Sequence, residues 1–125
     1  MKRLSLKNKN QPSIPEIRAD IIAVDLDGVL AEYTEWKGPE FIGKSIPKML
    51  ERVKKWLKED KEVVIFTARI GTKECVPYIE KWLEQNGIGG LRITNVKERE
   101  FIEFWDDRAI QIIPNTGERV DGKED

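Results

Sequence analysis

The residues best suited to chemistry are Asp25 and Asp27 with Gly28 behind them, Thr67, Lys97, and the adjacent pair Asp106 and Asp107. Taken singly, each has an ordinary reading. An aspartate after a strand is usually a turn former or helix cap, a threonine at a strand end is usually only that, and a lysine is usually solvated. Their order carries more, because the acidic and hydroxyl residues follow apolar runs. In Asp25-Leu26-Asp27-Gly28-Val29 the first carboxylate closes such a run, and the second can reach the same spot two residues later. Gly28 permits a backbone turn that a side chain would hinder. Carboxylates crowded together repel unless a cation lies among them, and a divalent ion resolves that conflict. The chain contains no histidine. That removes Ser-His-Asp and Cys-His hydrolases and histidine-ligated zinc. Acid–base work then falls to carboxylates, lysine or tyrosine. A metal would sit on oxygen ligands, which points to magnesium or a similar hard ion.

The elements that must position these residues are short. Ile21-Ile22-Ala23-Val24 is apolar, largely β-branched and ends in Asp25, as expected of a strand covered on both faces. Val63-Val64-Ile65-Phe66 is a second, ending at Thr67. Leu91-Arg92-Ile93-Thr94 is a third and Phe101-Ile102-Glu103-Phe104-Trp105 a fourth, ending at Asp106. Residues 110–113, closed by Pro114, make a fifth. Between the first two, Ile46, Met49, Leu50, Val53, Trp56 and Leu57 recur at helical steps, with Ser45 as the expected N-cap. A second helix is expected over residues 73–86, with Val76, Ile79, Trp82 and Leu83 on one side, Pro77 in its first turn and Gly87 as its stop. Strand–helix–strand alternation implies a parallel α/β sheet. Such sheets bind ligands at the carboxyl ends of their strands, where all the singled-out residues lie.

Composition narrows the class further. A chain of 125 residues is one domain with a modest core, and 36% charged residues at a net charge of −1 provide no field to draw nucleic acid or an acidic membrane. Residues 1–18 read as a flexible basic tail, with Lys2, Arg3, Lys7 and Lys9 ahead of the first acid, Glu16. No apolar segment follows those basic residues, so they do not read as a signal peptide, and no apolar run is long enough to span a bilayer. The domain proper is expected over residues 19–116, with 117–125 a polar C-terminal tail. Cys75 is the single cysteine, so no internal disulfide can form; a half-buried structural role and a reducing, cytoplasmic setting fit it.

With those residues in place, the chain resembles the haloacid-dehalogenase (HAD) superfamily of phosphatases over residues 20 to about 113. Residues 21–30 are similar to the family's first motif, a hydrophobic strand followed by Asp-x-Asp-Gly. Val63-Val64-Ile65-Phe66-Thr67 is similar to the second, Lys97 to the lysine of the third (with Lys73 as the substitute), and Trp105-Asp106-Asp107-Arg108 to the acidic fourth. The resemblance implies a single three-layer α/β domain with a five-stranded parallel sheet of order 5-4-1-2-3. It implies an aspartyl-phosphate on Asp25, with Asp27 as general acid and then base. It implies Mg2+ on the Asp25 carboxylate, the Asp27 backbone carbonyl and Asp106, with Asp107 orienting them, and phosphoryl oxygens held by Thr67 and Lys97. In that order the third strand connects to the fourth across three strand spacings, about 14 Å. Six residues, 95–100, span that gap, enough for about 20 Å when extended and too few for a crossover helix.

The segments after the first and second strands are too short for an inserted cap domain, so the resemblance implies a capless member with an open site. A flap around Tyr33 and Phe41 is its only expected cover, unless a homo-oligomer covers it. Open sites suit bulky substrates such as nucleic-acid ends or phosphoproteins, and small or nucleotide phosphates when oligomerisation covers the site. The segment 25–31 also resembles the opening of the deoxyribonucleotidase branch, whose members have a cap. Trp36 is a candidate for stacking on a base or sugar, and Arg69 for contacting substrate phosphate or carboxylate; shielding of apolar surface and a surface ion pair are their alternatives. Two rival classes stand beside the hydrolase. One is a non-catalytic phosphate-binding or assembly domain, which would lack one of Asp25, Asp27 or Asp106. The other is a phospho-acceptor receiver, whose third strand would end in Asp.

Overall fold

The computed structural model describes residues 20–124, so the expected basic tail lies outside the described residues. Four parallel strands form one sheet: β1 (Ile21–Val24), β2 (Glu62–Phe66), β3 (Ile93–Thr94) and β4 (Phe101–Trp105), in the order β3-β2-β1-β4. Helix α1 (Pro47–Lys58) joins β1 to β2, and a short 3₁₀ turn (Ala68–Gly71) followed by helix α2 (Cys75–Gln85) joins β2 to β3.

The expected three-layer arrangement is corrected to two layers among the described residues. Met49 and Val53 of α1 and Ile79, Trp82 and Leu83 of α2 share one core cluster with Ile22, Val24, Val63 and Ile65, so both helices cover the same sheet face. The reason is handedness. Steps β1 to β2 and β2 to β3 run in the same direction across the sheet, and right-handed crossovers place both helices on one side. The return to β4 would place a helix on the other side, but residues 95–100 are too few to form one. That other face carries Ile21, Ala23, Val64 and Phe101 with Phe66 packed against them. Phe66, Phe101 and Phe104 meet there edge to face, with centroids 5.7–5.9 Å apart.

The expected fifth strand, and with it the five-strand order, is also corrected. Ile110, Ile112 and Ile113 are exposed, and the segment pairs with its own continuation rather than with β4. Ile112 bridges Arg119 antiparallel, the Ile113 amide donates to the Glu118 carbonyl at 2.8 Å, and the Val120 amide donates to the Gln111 carbonyl at 2.9 Å. Pro114, then Asn115 and Gly117 at φ of 68° and 75°, turn the chain back before it can extend along the sheet. This hairpin includes the residues 117–120 expected to begin a tail.

Two helix starts differ from expectation. Ile46 rather than Ser45 is the N-cap of α1, and no side chain caps it; Pro47 needs no hydrogen-bonded amide at N1, and Ser45 bridges Ala31 instead. The second helix begins at Cys75 rather than Lys73: the 3₁₀ turn ends at Gly71, and a separate turn follows in which the Cys75 amide donates to the Thr72 carbonyl at 2.9 Å. Cys75 itself is fully buried rather than half-buried.

Candidate functional site

Strand register delivers the first two carboxylates to one level. Val24 is paired with Trp105, and the Asp25 amide donates to the Trp105 carbonyl at 2.9 Å, extending the ladder one residue past the strand. Asp25 and Asp106 therefore emerge side by side. One carboxylate oxygen from each of Asp25, Asp106 and Asp107 lies within 4.8 Å of the others. Asp25 is half-buried, whereas Asp106 and Asp107 are exposed. Burial first, and the neighbouring Asp106 charge second, push the Asp25 carboxyl from 3.8 up to about 6; Asp107 and Asp27 add to this, and the Leu26 amide opposes it. That amide donates to Asp25 Oδ1 at 2.8 Å, and the Arg108 amide donates to Asp106 Oδ1 at 2.7 Å, which fixes both side chains.

The three oxygens fit a small hard cation. Oxygens held at 2.0–2.1 Å by magnesium stand about 2.9 Å apart when adjacent and about 4.2 Å when opposite, so this set would close inward around an ion. Asp107, expected to orient the other two, brings a carboxylate oxygen into the same cluster and so could hold an ion itself. The Asp27 carboxylate is outside the cluster. Gly28 explains part of the packing. Its φ is +87°, and a Cβ there would stand 2.5 Å from Asp107 Oδ2, so the turn needs glycine for conformation and for space.

Asp27 is instead held by Arg69. The guanidinium donates through Nε to Oδ2 at 2.7 Å and through a terminal nitrogen to Oδ1 at 2.9 Å, a bidentate pair. Only 5% of the Arg69 side chain and 19% of the Asp27 side chain are exposed. Burial works against the Arg69 charge, but the Asp27 carboxylate more than offsets it and the guanidinium is held charged. The ion pair of Arg69 is buried rather than on the surface. Thr67 is buried, its amide donates to the Thr94 carbonyl at 2.9 Å, and its hydroxyl accepts from the Arg69 amide at 3.2 Å. One residue thus ends β2 and caps the turn that carries Arg69.

A cleft of about 390 Å³ opens over this set, lined by Asp25, Asp27, Thr67, Arg69, Asp107 and Arg108, with Tyr33 and Trp36 of the flap at its rim. Lys97 is not on its wall. The Lys97 ammonium lies 5.3 Å over the Phe104 ring and lines a neighbouring recess that includes Asp106. Arg108 is the residue that sequence reasoning passed over; it was legible only as part of the fourth motif, and nothing there assigned it a task. The Arg69 contacts were likewise beyond reach, since the partners are 42 residues apart.

No family model matches the chain, and no curated protein matches it. A solved structure described as "the conserved protein coded by locus from Bacteroides thetaiotaomicron" matches with a TM-score of 0.56 at 24% identity, over 86% of this chain and 84% of that one. That likeness is one of fold.

Proposed function

We propose that the chain is a magnesium-dependent phosphomonoester hydrolase of the haloacid-dehalogenase type, working through an aspartyl-phosphate on Asp25. The observation that carries this reading is the meeting of Asp25, Asp106 and Asp107, from two distant segments, within 4.8 Å at the carboxyl ends of adjacent strands. In the proposed reaction the Asp25 carboxylate attacks phosphorus as the bond to the leaving oxygen breaks. Asp27, protonated on one oxygen that Arg69 releases, gives the leaving oxygen a proton, then takes one from the water that hydrolyses the acyl phosphate. The buried Thr67 hydroxyl, Lys97 and Arg108 hold phosphoryl oxygens; Lys97 must leave the Phe104 ring to do so. Bound magnesium, on Asp25, Asp106, Asp107 and the Asp27 carbonyl, would neutralise the crowded carboxylates and the charge of the phosphate.

The substrate is proposed to be a small phosphate or a nucleotide or nucleic-acid phosphate, since among the described residues the flap is the cover over the cleft. A second copy of the chain as additional cover is tested by sedimentation. A reducing cytoplasmic setting fits the free, buried Cys75, and no helix among the described residues is long and apolar enough to cross a membrane.

The deciding experiment is a screen of phosphomonoesters, phosphorylated DNA ends included, with magnesium and with chelator. Turnover that disappears with chelator and in Asp25→Asn is expected. Magnesium binding without turnover of any ester would favour the phosphate-binding alternative, and an undiminished Asp25→Asn would remove the nucleophile.

A further inference from the structure

The flap is anchored at its base independently of the site. The Glu32 amide donates to the Lys44 carbonyl at 2.9 Å, Ala31 bridges Ser45, and the Trp82 indole donates to the Gly43 carbonyl at 2.8 Å. Its tip is held by Arg69. The terminal nitrogen of Arg69 that binds Asp27 Oδ1 also donates to the Phe41 carbonyl at 2.9 Å, and the other reaches the Pro39 carbonyl at 3.5 Å. The Trp36 ring lies over the guanidinium with its centroid 4.8 Å from Cζ. Trp36 is half exposed and lines the cleft. One planar group therefore spends four of its five N–H donors on the flap backbone and on both oxygens of Asp27. A guanidinium has a fixed fork, and it cannot follow the flap without turning the carboxylate it grips.

We propose that Arg69 is the positioning residue through which the flap sets the orientation of the Asp27 carboxylate. Two of the Arg69 hydrogen bonds, at 2.7 and 2.9 Å, end on Asp27, and two more, at 2.9 and 3.5 Å, end on the flap carbonyls of Phe41 and Pro39. The proposal rests on the hydrolase reading for the task given to Asp27, while the mechanical link does not. Two assays separate them. The first uses Arg69→Lys, which keeps charge and loses the fork, on p-nitrophenyl phosphate and phenyl phosphate, esters of similar size but different need for protonation of the leaving oxygen. General acid catalysis contributes about 10²–10⁴-fold, so kcat/KM is expected to fall about tenfold further on phenyl phosphate than on p-nitrophenyl phosphate. The ratio is internal to one preparation and is unaffected by any unfolded fraction. Equal losses on both esters would overturn the assignment.

The second assay needs no turnover. Tryptic cleavage after Lys37 is compared in the wild type, Arg69→Lys and Asp27→Asn. Asp27→Asn leaves Arg69 in place but removes the carboxylate that orients it, so faster flap cleavage in both variants is expected. Unchanged cleavage in Asp27→Asn would break the link between flap and carboxylate. A wild type without phosphatase activity whose flap nevertheless loosens in both variants would sink the hydrolase reading and keep the link.

Discussion

Asp25→Asn is expected to stabilise the metal-free protein while it abolishes turnover. The Asp25 carboxyl is raised from 3.8 to about 6 in the folded chain, chiefly by burial and by Asp106. A folded-state value above the unfolded one means that the unfolded chain gives up its proton first. Stability therefore falls as pH rises between about 4 and 6, and the whole penalty is present above that window. For a fully shielded group, a rise from 3.8 to about 6 corresponds to about 3 kcal/mol. Asp25 is only half-buried, and solvent screening reduces this to about 1–2 kcal/mol. Asparagine keeps an Oδ1 to accept the Leu26 amide, so the substitution removes charge and little else. Urea unfolding of both proteins in chelator, from pH 4 to pH 8, is the assay. The curves should nearly coincide at pH 4 and separate in favour of the variant above pH 6. Magnesium should then stabilise the wild type, by mass action, and the variant much less. A gap independent of pH, or a variant less stable throughout, would refute the idea that uncompensated carboxylate charge is stored at this site.

Three further outcomes follow from single contacts. Gly28→Ala is expected to cost about 1–2 kcal/mol for the left-handed backbone alone and to weaken magnesium binding by displacing Asp107; thermal melts with and without the ion check both. Thr67→Val removes the acceptor for the Arg69 amide, and chemical denaturation should show a loss of about 1 kcal/mol with a larger fall in kcat. Lys97→Ala is expected to lower kcat/KM about 10²-fold if the ammonium moves from Phe104 to the phosphoryl group, and unchanged kinetics would pass that task to Arg108.

Much of the site was legible because strand ends are marked in the chain. Short apolar, β-branched runs ending in Asp25, Thr67 and Asp106 identify the strand termini, and parallel pairing then brings them to one edge. Strand identity is local; strand partners are not. Ile110, Ile112 and Ile113 have the composition of a strand, yet the turn at Pro114 to Gly117 gives them a nearer antiparallel partner than β4. The six-residue return to β4 was legible as too short for a helix; its consequence, no third layer among the described residues, also needed the strand order that puts α1 and α2 on one face. Arg69 stands two residues after Thr67, so its nearness to the site could be foreseen, but its grip on Asp27 and on the flap is a tertiary fact.

The claim on which the proposed mechanism depends is that Asp25 carries the phosphoryl group. Quenching the enzyme during turnover and reducing it with borohydride converts an acyl phosphate to the alcohol. Mass spectrometry of the peptide containing residues 21–31 is expected to find homoserine at position 25, only when substrate is present. Steady turnover with the modification absent, or with it at Asp27, Asp106 or Asp107, would contradict the mechanism.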